Sequence, residues 1–366
     1  MIKDKIKPLY FILRSSILKS IPKPSRKVIP SGKDLRILVI RLDRVGDMAL
    51  STPIFRLLRK AFPQAVISVL VNENIADLVR NNPNINNIFY YKGFLKTVLE
   101  HRNKYDIVID MINLYVLRTA LLTRLLNAPF TIGYDVKDRG RLFTDAVPVS
   151  TEKKHFINFI PDLLKPLAIK ISDDLSPEIF PGSKEKLTAL GFLSKNGVNP
   201  GNFLIAAHPG AFYLSNRWPE KYFISLFESI FSFNSNVKIL ILGSSGEKEL
   251  VNRIFNSLSE NSRNKTILHA ENGLGMTMAL LSCSKLFIGN NSGLLHLATA
   301  LKIPTVSFMG PPVPWMWRSW GSDDTNIVFR KDLPCSPCNK GVCEDHTCMN
   351  SILPEEVLNK IKPLLK

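Results

Sequence analysis

The chain has 366 residues, 45% of them hydrophobic, which is enough for two domains of roughly 100–200 residues, each with its own core. Its 48 Lys+Arg against 31 Asp+Glu give a formal net charge of +17, which calls for an anionic partner without choosing among nucleic acid, anionic lipid and phosphorylated small molecules. No apolar run approaches the roughly 20 residues that cross a bilayer, and four of the five cysteines fall in one short segment, so the expectation is a soluble or peripheral protein in a reducing, cytoplasmic setting.

Residues 1–34 form a basic arm whose apolar run is too short for a secretory signal and lacks a small-residue cleavage site. Leu9, Leu13, Ile17 and Ile21 recur at helical spacing among Lys3, Lys5, Lys7, Arg14, Lys19, Lys23, Arg26 and Lys27. Three readings follow: an amphipathic helix lying on an anionic membrane surface, a short helix packed on the body of the protein, or a frayed basic arm.

From residue 35 the pattern is β-α-β-α. "LRILVIRL" (35–42) is a continuous apolar run of the kind found in a strand buried on both faces of a parallel sheet, and a helix follows it directly. Strand "AVISVLV", helix "ENIADLVRNN", a short strand near "NIFYY", helix "FLKTVLEHRN", strand "YDIVIDM" and helix "YVLRTALLTRLLN" continue the alternation, which predicts a doubly wound α/β domain over 35–175. Residues 176–202 are rich in Ser, Pro, Gly and Asn and are the linker candidate.

A second series runs through 203–352: "FLIAAHPGA", helix "KYFISLFESIF", strand "VKILILG", helix "GEKELVNRIFNSL", strand "KTILHA", helix "GMTMALLSC", strand "KLFIGN", helix "GLLHLATAL" and strand "PTVSFMG". A C-terminal helix over 353–366 opens at Pro354. The predicted fold is therefore α/β, with two Rossmann-like doubly wound domains facing a central cleft, and ligands belong at the carboxyl ends of the strands.

Neither G-x-G-x-x-G after the first strand nor G-x-x-x-x-G-K-[ST] anywhere is present, so dinucleotide oxidoreductase and P-loop NTPase readings lose their main support. In "RLDRVGDMALSTP", Gly46 lets backbone approach a ligand, and Asp47 is either a helix cap or a carboxylate placed for chemistry. In "HPGAFYLSNRWP", Arg217 is suited to a bidentate grip on phosphate. In "GNNSGLLHLATA", the backbone N–H groups of Asn291, Ser292, Gly293 and Leu294 can point at an anion, with His296 close by. An Arg loop and a helix start in one domain point to a diphosphate site, the alternative being that His296 only packs in the helix face, and the "GSSGEKE" turn is a weaker candidate for a nucleotide's base or ribose. Cys335, Cys338, Cys343 and Cys348 have C-x2-C-x4-C-x4-C spacing; four thiolates can hold a structural Zn, with His346 as a spare ligand, and the alternatives are a loop of buried thiols or a disulfide clip.

These stretches, in this order, resemble glycosyltransferase family 9, the ADP-heptose:lipopolysaccharide heptosyltransferases, over roughly residues 35 to 365. The resemblance implies a GT-B fold, an N-terminal domain for the acceptor, a C-terminal domain for the nucleotide-sugar donor, and an inverting transfer that requires no cofactor. Asp47 matches the family's catalytic aspartate, and Ser292, Gly293 and His296 match its donor-binding [ST]-G-x-x-H segment. Two positions depart from the pattern: Asn291 stands where the family usually has Asp, and Asn216 where it has the Lys of Lys-Arg-Trp-Pro.

A diphosphate leaving group needs its charge stabilised rather than a proton, so one carboxylate suffices. On this reading Asp47 takes the proton of the acceptor hydroxyl, with Asp43 on the same loop as the fallback base, while Arg217 and the helix start at 292–294 hold the departing diphosphate. The implied partners are ADP-heptose, an anionic glycolipid acceptor and the cytoplasmic face of a bacterial inner membrane. The alternatives are a transferase for another nucleotide sugar, a nucleotide-binding protein that no longer transfers sugar, and a basic zinc-bearing nucleic-acid-binding protein. The last is disfavoured, because the charge is spread over two α/β domains and no nucleic acid is expected.

Overall fold

The computed structural model describes residues 15–16, 18–26, 34–171, 174–271 and 273–366. Strand β1 (Arg36–Arg41) exposes only Arg36, as its apolar run requires. It leads into α1 (Val45–Ser51) and α2 (Pro53–Ala61), where Pro53 sits at the helix start and its missing N–H costs nothing. The chain continues through β2 (Val66–Val71), β3 (Asn87–Tyr90), α3 (Phe94–His101), β4 (Ile107–Asp110), α4 (Leu117–Leu125), β5 (Phe130–Asp135) and β6 (Asp145–Pro148). These strands form one parallel sheet in the order β3-β2-β1-β4-β5-β6, with Ile37 level with both Ile67 and Ile107.

The second series starts with α5 (Ser183–Lys195) and β7 (Phe203–His208), followed by α6 (Glu220–Phe233), β8 (Val237–Gly243), α7 (Lys248–Asn256), β9 (Thr266–Ala270) and α8 (Leu274–Ser282). Then come β10 (Leu286–Asn290), α9 (Gly293–Ala300), β11 (Thr305–Phe308), β12 (Asn326–Phe329) and α10 (Pro354–Ile361). The sheet is again parallel, ordered β12-β11-β10-β7-β8-β9. Strands β5, β6 and β12 extend the expected series. β6 and β12 are four-residue sheet edges, and β5 is broken by Gly133, so none gives a strong apolar run. The stretch at Glu73–Leu78, expected as an α-helix, is 3-10 helix.

Contacts divide the chain into two compact units. The first takes the residues up to Arg44, Ser51–Glu152 and Ile157–Leu175; the second takes Val45–Leu50, Lys153–Phe156 and Ser176–Lys366. The segment expected as a linker, 176–202, thus falls in the second unit, where α5 buries Ala189 and Leu193. The C-terminal helix does the same: Val357, Ile361 and Leu365 join a core built from Phe223, Phe227, Ile239 and Trp218.

In the first unit Leu38, Ile40, Leu70 and Val108 form the core beneath α3 and α4. The described part of the basic arm packs there too. Leu18 is 3% exposed against Leu117, Ala120, Leu142 and Phe143, with Ile21 beside them. Leu9, Leu13 and Ile17 lie outside the described residues, so the membrane-helix reading of the arm rests on positions the structure does not describe, while its described apolar positions serve the fold. Arg139 and Asp110 form a fully buried ion pair, and Arg139 Nη1 also donates to the carbonyls of Ile112 (2.6 Å) and Leu114 (2.7 Å). Among the described residues no helix is long and apolar enough to cross a membrane.

Candidate active site

The carboxyl ends of β10, β7, β8 and β9 lie side by side in the second sheet, and each carries part of the candidate site. β10 ends at Asn290, and the chain turns through Asn291 and Ser292 into α9, whose first N–H groups have no partners within the helix and whose dipole favours an anion. Asn290 was not singled out in the sequence, yet it stitches the turn together. Its Oδ1 accepts from the Trp218 N–H (2.8 Å) and its Nδ2 donates to the Pro209 carbonyl (2.7 Å), tying the 208–219 loop to β10. Asn291 is buried and donates to the Trp317 carbonyl (3.2 Å).

His296 is buried one turn into α9, and burial, with a smaller contribution from His155, lowers its pKa to about 3. Its Nδ1 is buried and has no hydrogen-bond partner among the described residues, an open hydrogen-bonding position beside the helix start.

β7 ends at His208, whose Nδ1 is 2.9 Å from the Ser292 hydroxyl and whose Nε2 is 3.3 Å from Oε2 of Glu247. Glu247 follows β8 and completes a capping box with Ser244, accepting from its N–H and hydroxyl, both at 2.9 Å. Burial alone would raise the Glu247 carboxyl, but His208 and Ser244 outweigh it and hold it at about 2. On the 208–219 loop after β7, Arg217 is half-buried and donates Nε–H to the Ala211 carbonyl (3.1 Å); among the described residues nothing engages its two Nη groups. Asn216 is buried, with its N–H closing a turn on Tyr213. At the end of β9 a cavity of about 360 Å³ is lined by Lys184, Thr188, Phe192, His269, Glu271 and Met276.

The Gly46–Asp47 turn belongs to this second unit. Asp47 is the third residue of α1, inside the first helical turn rather than at the cap position, where the helix dipole still favours its charge. Gly46 has no room for a side chain. A Cβ there would stand 2.8 Å from Cδ2 of His296 and 3.4 Å from the Gly293 Cα. Asp43, in the first unit, is paired with the buried Arg41 at 2.8 Å.

The cysteine segment packs on the Arg217 loop. Ser215 donates to the Lys340 carbonyl (2.5 Å), and the His346 Nε2 lies 2.9 Å from the Ser215 carbonyl, so His346 serves this contact instead of standing spare. Cys335, Cys338, Cys343 and Cys348 are free thiols, grading from exposed Cys335 to buried Cys348, whose pKa burial raises. Among the described residues no group of three or more His, Cys, Asp or Glu side chains is placed to hold a metal ion.

The family model "Glycosyltransferase family 9 (heptosyltransferase)" matches residues 95–348, well over half of the chain. The chain belongs to glycosyltransferase family 9. This family 9 chain is 32% identical over 169 residues to lipooligosaccharide heptosyltransferase 2 of Campylobacter jejuni (serotype O:6), 45% of the chain and about half, 52%, of that relative's length. It is 28% identical over 306 residues to lipopolysaccharide heptosyltransferase 2 of Salmonella typhimurium, covering 76% of the chain and 84% of that protein. Its fold matches the E. coli ADP-heptose lps heptosyltransferase II structure at a TM-score of 0.77 and 23% identity, over 90% of this chain and 98% of the other, as the two Rossmann-like domains predict.

Of the residues picked from the sequence, the structure gathers Gly46, Gly293 and His296 at one point and sets Ser292 against His208. Glu247, His208 and Asn290 were missed as individuals. The signal for Glu247 was the capping-box spacing within "GSSGEKE", and for Asn290 a polar residue ending an otherwise apolar strand.

Proposed function

We propose that this family 9 chain is an inverting heptosyltransferase that moves heptose from ADP-heptose to a lipopolysaccharide-core acceptor. The observation that carries the reading is the row of strand ends, with anion-seeking groups at β10 and β7, a carboxylate at β8 and a cavity at β9. The diphosphate lies on the α9 start and the Nη groups of Arg217; the Glu247 carboxylate accepts from ribose hydroxyls; the base enters the His269 cavity. The open Nδ1 of His296 meets the donor, and because its ring stays neutral it does so as a hydrogen-bonding group rather than a cation.

Asp47 acts as general base. It takes the acceptor hydroxyl proton as that oxygen bonds to the anomeric carbon, while the bond from that carbon to the diphosphate breaks and ADP leaves. A positioned base is worth about 10²–10⁴-fold. Asp43 is not the base on this reading, because it is engaged by Arg41. The charge on the leaving diphosphate is met by Arg217 and backbone N–H groups, so the step needs no divalent metal.

The test is transfer by the purified chain, with ADP-heptose assayed beside a panel of other nucleotide sugars and the product's anomeric configuration read by NMR. Turnover of ADP-heptose with inversion is expected. Turnover of a different donor alone overturns the donor assignment, and binding of ADP without any transfer identifies a protein that has lost catalysis.

A further inference from the structure

We infer that α3 is a membrane-docking helix that seats the first unit on an anionic phospholipid surface. A surface helix beside an edge strand should turn one apolar stripe inward and a polar face to water. α3 does the first with Thr97, Val98 and His101, yet its outer face carries Leu95 and Leu99, 76% and 82% exposed, at an i, i+4 interval that stacks them in one stripe. Leu114, on the loop before α4, is 63% exposed as well. That loop is anchored: Arg139 grips the Leu114 carbonyl, and Arg118, one helical turn on, lies 5.1 Å over the ring of Tyr91, just ahead of α3.

The charges around them select the occupant. Lys92, Lys96, Arg102 and Lys104 are all exposed within the same short stretch, against the half-buried carboxylate of Glu100. Leucines at the centre and ammonium and guanidinium groups around them match a bilayer interface, where apolar side chains enter the acyl boundary and cations meet lipid phosphates. The described apolar residues of the basic arm cannot supply this contact, since Leu18 is spent in the core of the first unit. The docking face rests on the proposed function only for its purpose, which is to bring the enzyme to a lipid-borne acceptor.

The experiment uses the full chain and vesicles free of lipopolysaccharide, so that docking and transfer are read separately. Sedimentation with phosphatidylglycerol/phosphatidylethanolamine vesicles is compared with phosphatidylcholine alone, for the wild type, Leu95→Ser/Leu99→Ser and Lys92→Glu/Lys96→Glu. Expected results are binding to the anionic vesicles only, weakened by high salt and at least about tenfold weaker in both double variants, with unchanged Tm and unchanged transfer to a lipid-free acceptor. A Leu95→Trp variant should show a blue-shifted emission on adding anionic vesicles. The inference is overturned if the wild type ignores anionic vesicles, if the double variants bind like the wild type, or if the Leu95→Ser/Leu99→Ser change dissociates a dimer without altering vesicle binding. Absent transfer with vesicle binding as expected would sink the proposed reaction and leave the docking face standing.

Discussion

The Glu247 carboxylate lies 3.3 Å from Nε2 of His208, and Gly210 exists where it does because of that pair: a Cβ on Gly210 would come within 1.9 Å of Glu247 Oε1. Glu247→Gln removes the charge that the proposed donor site sets against ribose hydroxyls, and Gly210→Ala drives the carboxylate from its place. Since hydrogen bonds to charged groups are worth about 1.5–3 kcal/mol, each variant should bind ADP about tenfold more weakly or worse by isothermal titration calorimetry. Wild-type affinity in both would remove Glu247 from the donor site.

Asp47 should separate catalysis from binding. Asp47→Asn keeps the size of the side chain and its place in the first turn of α1 but abolishes the base, so transfer should fall by about 10²–10⁴-fold while ADP affinity stays within about twofold. Asp47→Ala should match it. A near wild-type rate in either variant refutes the assignment.

The alternating apolar runs made both sheets legible in the sequence, because parallel strands buried on two faces leave unmistakable signatures, as in "LRILVIRL" and "VKILILG". The edges were not, since β6 and β12 need only half a face of apolar residues. The turn that sets Ser292 and Gly293 at the start of α9 was legible as a strand, a polar glycine turn and a helix in direct succession. Three things depend on tertiary packing that spacing does not carry. His208 meets Glu247 only because β7 and β8 are neighbours, Gly46 faces His296 only in the folded chain, and Leu95 and Leu99 look like core until α3 is seen to bury Val98 instead.

Acid should unfold this protein early. Burial holds His155 and His296 neutral, lowering them from 6.5 to about 4 and about 3. Below pH 6.5 the unfolded chain takes up protons that the folded chain refuses, so their contribution is complete above that pH and drains away as the pH falls towards the folded values. The loss is of the order of 3 kcal/mol for each histidine at the bottom of the window. Glu247, held at about 2 instead of 4.5, adds a loss of the same sign below pH 4.5. Calorimetric Tm should therefore drop steeply between pH 6.5 and 4, and His155→Phe should flatten that slope; a slope untouched by the substitution would show that His155 is not held neutral.

Breaking the Asp110–Arg139 pair should destabilise the first unit. Both side chains are fully buried, and the guanidinium also holds the Ile112 and Leu114 carbonyls, so removing one partner strands a charge and two acceptors away from water. Arg139→Met should cost about 3–5 kcal/mol in urea unfolding at pH 7, with an unchanged m-value if the folded state stays as compact. Asp110→Leu combined with Arg139→Met should cost less than the sum of the single changes, because the double variant buries no lone charge. Strict additivity would mean that the two residues are not energetically coupled, and that the carbonyl contacts of Arg139 alone carry its effect.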